Sequence, residues 1–347
     1  MKAREKTTGV ETSRPWRRLS AWIVGLVISA FFVVLALREV EWAELVSALG
    51  ALRGPGPWLL ILLASAFALL HLWARAARWR LLVDPLAPIP TGRLFRAVWI
   101  GAALNNLLPA RAGDLARAGL LRRHGLAASS SLATIVVERV VDVIASQILL
   151  AAALMLAPLP SRLAQLGGLL LLAALIALGI MALGLRYRST FERLSESLLG
   201  LLPEPVGDRL RGLIGAFLDG LEGSLLGALR AGHAPGLFGW SLAIHACNLL
   251  PTASVLVACG LFEPAATWQP ALLVTTFIAF AIMLPAAPGQ LGTLHYAGVA
   301  ALGLYAIDPA PALACILLFH ASQYLPVTLA GIGLAWREGL ETAADAS

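Results

Sequence analysis

Leu108-Pro109-Ala110-Arg111-Ala112-Gly113-Asp114-Leu115 cuts an apolar run in two: Leu94–Leu108 leads in and Leu115–Leu126 leads out. Proline lacks the N–H that a helix interior needs, and glycine frees the backbone, so an α-helix breaks there. The pattern LPAxxGxL returns 176 residues later as Leu284-Pro285-Ala286-Ala287-Pro288-Gly289-Gln290-Leu291, between Ala271–Leu284 and Leu291–Ile307. A leg of about 15 residues makes about 22 Å of helix, against about 30 Å of bilayer hydrocarbon. Short apolar legs meeting at a Pro/Gly break predict a re-entrant hairpin, two half-helices that meet at mid-depth and return to their own side. The backbone breaks fall at Pro109 and Gly113 in the first hairpin and at Pro285, Pro288, Gly289 and Gly292 in the second.

The same offset of 176 aligns Ala145-Ser146-Gln147-Ile148-Leu149 with Ala321-Ser322-Gln323-Tyr324-Leu325. Working outward, clear spans are expected at about 20–37, 57–76, 129–157, 166–186, 237–262 and 310–335. The predicted fold is therefore an all-α polytopic membrane protein with about six full spans plus two opposed re-entrant hairpins. Each repeat reads span, hairpin, span, at 57–157 and 237–335. The single span 166–186 between them inverts the second repeat, an arrangement found in transporters.

Composition agrees. Hydrophobic residues make up 59% of 347 and charged residues 13%, about half the charged share of a soluble domain at roughly 25%. With both hairpins returning to their own side, 22 of the 26 Lys/Arg fall on one face. Only Arg38, Arg53 and Arg162 fall on the other, and Arg139 lies within a span. The positive-inside rule makes the basic face cytoplasmic, with both termini, in a bacterial-type inner membrane. The domain order is a basic N-terminus 1–19, a membrane domain 20–337 and a tail 338–347. The run Ala21–Leu37 lacks a small-x-small cleavage site and reads as an uncleaved first span. Residues 189–235 read as short amphipathic cytoplasmic helices lying on the membrane, and 40–52 as a similar helix on the outer face. The basic residues flank apolar blocks, which argues against nucleic acid as a partner. Cys247, Cys259 and Cys315 lie in apolar stretches without metal-ligand spacing, so neither a metal nor a cofactor is expected.

Ionisable groups at bilayer depth need a partner or a purpose. Asn105, Asn106, Arg111, Asp114 and Arg117 crowd the first break. Freed N–H groups and the Arg111 fork suit a headgroup phosphate, or Arg111 and Asp114 pair and close the turn. In span 129–157, Glu138 and Asp142 share a face and Arg139 can pair with Asp142. This is either a buried network facing the hairpin or a structural ion pair near the cytoplasmic boundary. At the second break stand Gln290, Thr293 and His295, with His320, Gln323 and Tyr324 on the last span. His295 or His320 could exchange protons, or serve as hydrogen-bonded packing residues like His71 and His245.

Gly101–Ala118, with its Asn105-Asn106-Leu107-Leu108-Pro109-Ala110-Arg111-Ala112-Gly113-Asp114 core, resembles the lysylphosphatidylglycerol synthase transmembrane-region family, also called flippase-like. So do Arg78-Trp79-Arg80, Glu138-Arg139-Val140-Val141-Asp142 and Pro288-Gly289-Gln290-Leu291-Gly292. The resemblance runs from about 20 to 335 and implies a bilayer domain with opposed re-entrant hairpins that moves a lipid across the membrane. Where many members carry an acidic residue after the second hairpin's glycines, this chain has Thr293-Leu294-His295-Tyr296. Bifunctional members carry a soluble aminoacyl-transferase domain after the membrane part, whereas here Ser347 follows Trp336 by eleven residues. Aminoacyl-lipid synthesis is thus not expected of this chain. The leading expectation is a flippase for a phospholipid or isoprenoid-type lipid. Its substrate path would run along Asn105, Asn106, Arg111, Asp114, Arg117, Glu138, Arg139, Asp142, Gln290, His295 and Gln323. No catalytic residues are assigned. The alternatives are a membrane-embedded enzyme and an accessory subunit working with a separate lipid- or glycan-synthesising enzyme.

Overall fold

The computed structural model of the chain describes residues 15–108, 112–156, 161–200, 203–282 and 286–344. Pro109, Arg111 and Pro285 therefore lie outside the described residues. Thirteen α-helices and two 3-10 turns are present, with no strand among the described residues. After α1 (Pro15–Leu37) and α2 (Trp42–Gly50) come a long helix, two short ones and a long one: α3 (Pro55–Val83), α4 (Thr91–Leu107), α5 (Ala112–Arg122) and α6 (Ala128–Leu156). Three helices follow, α7 (Ser161–Arg186), α8 (Arg188–Leu199) and α9 (Glu204–Arg230). The long-short-short-long series then recurs as α10 (Ala234–Ala258), α11 (Trp268–Ala281), α12 (Thr293–Gly303) and α13 (Pro309–Ala344).

Packing partners recur with the elements. The long helices α3 and α10 lie along each other. The short helix α4 packs on α13, and its counterpart α11 packs on α6. Each short pair, α4 with α5 and α11 with α12, packs leg against leg as a helical hairpin. The legs have 17 and 11 residues in the first hairpin and 14 and 11 in the second. At 1.5 Å per residue, even the longest reaches only about 25 Å. In the first hairpin the backbones touch: a Cβ on Gly113 would lie 1.8 Å from the Gly101 carbonyl oxygen. In the second, the break is a 3-10 turn, Pro288–Gln290, with positive φ at Gly289 (71°), Gln290 (58°) and Gly292 (87°). This turn packs against α4, so the second hairpin's break meets the first hairpin. The carbonyl of Ser29 on α1 stands 2.4 Å from where a Gly292 Cβ would be.

Side chains are distributed as lipid solvent demands. Leu59, Leu62, Leu63 and Leu70 on α3, Leu172, Ile176 and Ile180 on α7, and Leu325, Leu329 and Ile332 on α13 point outward. Alanines fill the contacts between helices: Ala64, Ala68, Ala74 and Ala76 on α3, and Ala310, Ala312 and Ala314 on α13. Lipid tails are as apolar as leucine, so helices associate through close packing of small residues. Four helices, α3, α9, α10 and α13, are long and apolar enough to cross a membrane among the described residues, which makes this a multi-pass membrane protein.

Two expected segments differ from what forms. The span expected to end at 76 continues to Val83, because the arginines read as its aqueous end are matched inside the protein. The stretch 189–235, read as short surface helices, holds the 12-residue α8 and a continuous 27-residue α9. Glycine weakens an isolated helix, but packing offsets that here. Gly220, Gly223 and Gly227 form one face, set against Ser130, Leu86 and Pro85 respectively. Although its length and composition would allow α9 to cross a membrane, that face lies on the first turn of α6 and the turn after α3, at the ends of the bundle. Arg188 fixes α8 to α9 by pairing with Asp219 and Glu222.

The α4–α13 contact offers a test of small-residue packing. A Cβ on Gly331 would fall 2.4 Å from the Ala103 Cβ and 2.5 Å from the Trp99 carbonyl oxygen, whereas Gly333 faces open space. Gly331→Val should lower stability by about 2 kcal/mol or more. Gly333→Val should change it by less than about 0.5 kcal/mol. Thermal denaturation of the two variants in detergent should separate them clearly, and similar melting temperatures would contradict the packing described.

Candidate functional site

Buried charged side chains gather where α3, α5 and α6 meet. Their sequences set it up by spacing. Arg75 and Arg78, three apart on α3, share a face, and so do Glu138 and Asp142, four apart on α6. Asp114 and Arg117, three apart on α5, close the third side.

Glu138 is the centre and has no exposed surface. Arg75 donates to its Oε1 through Nε at 3.0 Å and Nη2 at 2.7 Å. Arg78 Nη2 lies 3.6 Å from the same oxygen, and Arg117 Nη2 donates to Oε2. Arg78 also donates to Asp142 Oδ1 at 2.5 Å and to Ser241 Oγ on α10 at 3.1 Å. Arg139 bonds Asp114 Oδ2 at 2.9 Å and lies 3.7 Å from Asp142 Oδ2. Asn105 on α4 donates to Asp114 Oδ1 at 3.3 Å. Trp79 stacks under the Arg117 guanidinium, 4.1 Å from ring centroid to Cζ, and donates its Nε1–H to Thr134 Oγ1 at 2.7 Å. Among the described residues, four guanidiniums thus share three carboxylates, one positive charge in excess.

The cluster is graded in exposure. Glu138 is 0% exposed and Asp142 24% on their side chains, while Arg139 is 32% exposed. Several buried polar atoms carry no partner among the described residues: Nε of Arg78, Nε of Arg117, Oδ1 of Asn105 and Nδ1 of His71. A partly exposed cation beside unspent donors, with surplus positive charge behind it, is an arrangement that accepts an anion. Glu138 is enclosed by guanidiniums and balances their charge.

Of the residues expected along a path, Asn105, Asp114, Arg117, Glu138, Arg139 and Asp142 come together here. Asn106 faces the other way and donates to Thr328 Oγ1 on α13 at 2.8 Å. Gln290 and His295 lie at the second break, where Thr293 Oγ1 donates to Gln290 Oε1 at 3.3 Å. Gln323 ties α13 to α3 by donating to the Ala64 carbonyl at 3.1 Å. Asp114 pairs with Arg139; the alternatives for the first break turn on Arg111, which lies outside the described residues. Arg75 and Ser241 were not foreseen, and Arg78 only as part of a family pattern. The available signal was the equal spacing of the two cations on α3 and the two carboxylates on α6. A shallow cleft lies at the far ends of α4, α5 and α13, lined by Arg93, Arg96, His124 and Glu338. There burial and the Arg93 guanidinium, donating at 2.9 Å, hold His124 below the usual imidazole range.

The family described as Lysylphosphatidylglycerol synthase TM region matches residues 22–331 of the chain. No curated protein matches the chain.

Removing one partner of a buried ion pair strands the other charge and costs about 3–5 kcal/mol. Glu138→Gln strands Arg75 and Arg117, while Arg78 keeps Asp142, and should show a loss of that size in the denaturation of the purified protein. Asp142→Asn should cost clearly less, because Asp142 is 24% exposed and water can replace it. Equal losses would mean that Glu138 is not the centre of the cluster.

Proposed function

The chain belongs to the family described as the lysylphosphatidylglycerol synthase TM region, and on that premise we propose that it is a lipid flippase, moving a phospholipid or isoprenoid-type lipid between leaflets. The observation that carries the proposal is the cluster that, among the described residues, holds four guanidiniums and three carboxylates on the first hairpin and its neighbours. A headgroup phosphate would compete with Asp114 and Asp142 for Arg139, the guanidinium that combines partial exposure with two carboxylate partners.

The wider architecture supports this reading. In it, α3–α6 and α10–α13 are inverted repeats, and their short helix pairs are re-entrant hairpins entering from opposite sides. Legs of about 17–25 Å do not reach across about 30 Å of hydrocarbon, so each pair turns at depth. The break of the second hairpin lies against α4, which would bring both turns together near the midplane. A headgroup would pass along the polar junction while its tails stay in lipid, and rocking of one repeat on the other would give alternating access. The bias of 22 of 26 Lys/Arg to one face supports cytoplasmic termini in an inner membrane. With Glu138 occupied in charge balance, the reading is transport without chemistry on the substrate.

Reconstitution tests it. The full chain in large vesicles should move fluorescent anionic phospholipid, or a tagged isoprenoid phosphate, between leaflets faster than protein-free vesicles do. Arg139→Ala should slow this about tenfold, the value of one charge-assisted hydrogen bond. Arg139→Lys should recover part of the rate, and Arg80→Ala, on an exposed arginine paired with Asp84, should leave it unchanged. If no anionic, aminoacylated or isoprenoid lipid moves, the flippase reading fails.

A further inference from the structure

Away from the arginine cluster, the break of the second hairpin meets α13 through two imidazoles. Gly292 donates its N–H to His295 Nδ1 at 3.3 Å, and His295 Nε2 lies 3.2 Å from His320 Nδ1. The Gly292 donor occupies Nδ1 of His295, so the proton of that ring sits on Nε2 and is donated to His320 Nδ1. The His320 proton is then on its own Nε2. The Gly289 backbone flanks the His320 ring, and the Tyr324 ring stands 2.9 Å from where a Gly289 Cβ would be. The two histidines and the two left-handed glycines of the break therefore form one fitted unit.

Proton counting gives this unit a property. Two neutral imidazoles hold two protons and offer two acceptor nitrogens, and both acceptors are already occupied. A third proton must displace either the Gly292 bond or the bond between the rings. Among the described residues, no nearby charge would hold that proton in the closed arrangement. His295 faces His320, and His320 faces His295 and the edge of Tyr324, with ring centroids 5.4 Å apart. From α1, Ser29 reaches the break by accepting from the Ala287 N–H at 2.7 Å, and Phe32 packs on Tyr296 of α12. Among the described residues, α1, α3, α4, α10 and α11 bring no charged side chain into hydrogen-bond or ion-pair contact with either imidazole.

The unit is also joined to the first hairpin. Tyr324, one turn beyond His320, donates its hydroxyl to the Asn106 carbonyl at 3.5 Å. The neighbouring Asn105 donates to Asp114 of the arginine cluster.

We infer that His295 and His320 form a one-proton binding site whose occupation releases the break of the second hairpin and, through Tyr324 and Asn106, loosens the bond from Asn105 on α4 to Asp114 on α5. The site makes the two hairpins responsive to pH, whether or not a lipid crosses. Hydrogen–deuterium exchange on the full chain in lipid nanodiscs, corrected for the intrinsic pH dependence of amide exchange, reads this directly. Between about pH 8 and about pH 5, the range in which imidazole titrates, residues 286–296 should lose protection. The loss can reach about tenfold per pH unit, the limit for one proton taken up on opening. The step should vanish in His295→Gln and in His320→Gln. Tyr324→Phe should keep the step at 286–296 and abolish the accompanying one at 101–107 and 112–117. A flat wild-type profile overturns the site, as does a step that survives both glutamine variants. A first-hairpin step that survives Tyr324→Phe overturns the link. The readout is conformational, so its failure is separate from failure of the vesicle assay.

Discussion

A carboxylate with no exposed surface, Glu138, holds three guanidiniums from two other helices. Bringing ions out of water costs several kcal/mol each, and the cost is recovered only where each finds its partner in good geometry. That condition fixes the positions of α3, α5 and α6 relative to one another more tightly than apolar contact could in a bilayer, where packing against lipid and packing against protein differ little. It also explains how α3 can bury Arg75 and Arg78 inside the protein, where an unpaired cation is rarely tolerated.

Around this fixed corner the rest of the molecule is built for contact between backbones. The crossing of Gly101 and Gly113, the seating of Gly331 on Trp99 and Ala103, and the approach of Ser29 to Gly292 all remove side chains from the interface. Positive φ is kept for the second break, where the chain must turn sharply beside α1 and α13. The two hairpins thus differ in kind. One is tied down by ion pairs, and the other is held by a short chain of neutral hydrogen bonds.

Much of this was legible in the sequence. The Pro/Gly breaks and the offset of 176 located both hairpins, and the spacing of Glu138 and Asp142 identified their shared face. What stayed hidden depends on distance along the chain. Arg75 and Arg78 follow an apolar run, where cations ordinarily mark emergence into water, and their partners lie 63 and 64 residues away. His295 and His320 are 25 residues apart on separate helices, so neither predicts the other. The continuity of α9 stayed hidden because what offsets its glycines is tertiary, supplied by Ser130, Leu86 and Pro85. Gln323 looked like part of a polar path, and its amide serves the Ala64 carbonyl.

The crossing of Gly101 and Gly113 has a mechanical consequence. With 1.8 Å between an imagined Cβ and the opposing carbonyl oxygen, no side chain separates the two legs to act as a bearing. The legs cannot slide past or scissor against each other without opening a gap in the packing. Any displacement of α4 therefore carries α5 with it, and with α5 Arg117, whose Cβ lies 3.3 Å from where a Gly101 Cβ would be. A spectroscopic label placed on the outer surface of α4 would report the motion of the guanidinium without touching the charged cluster.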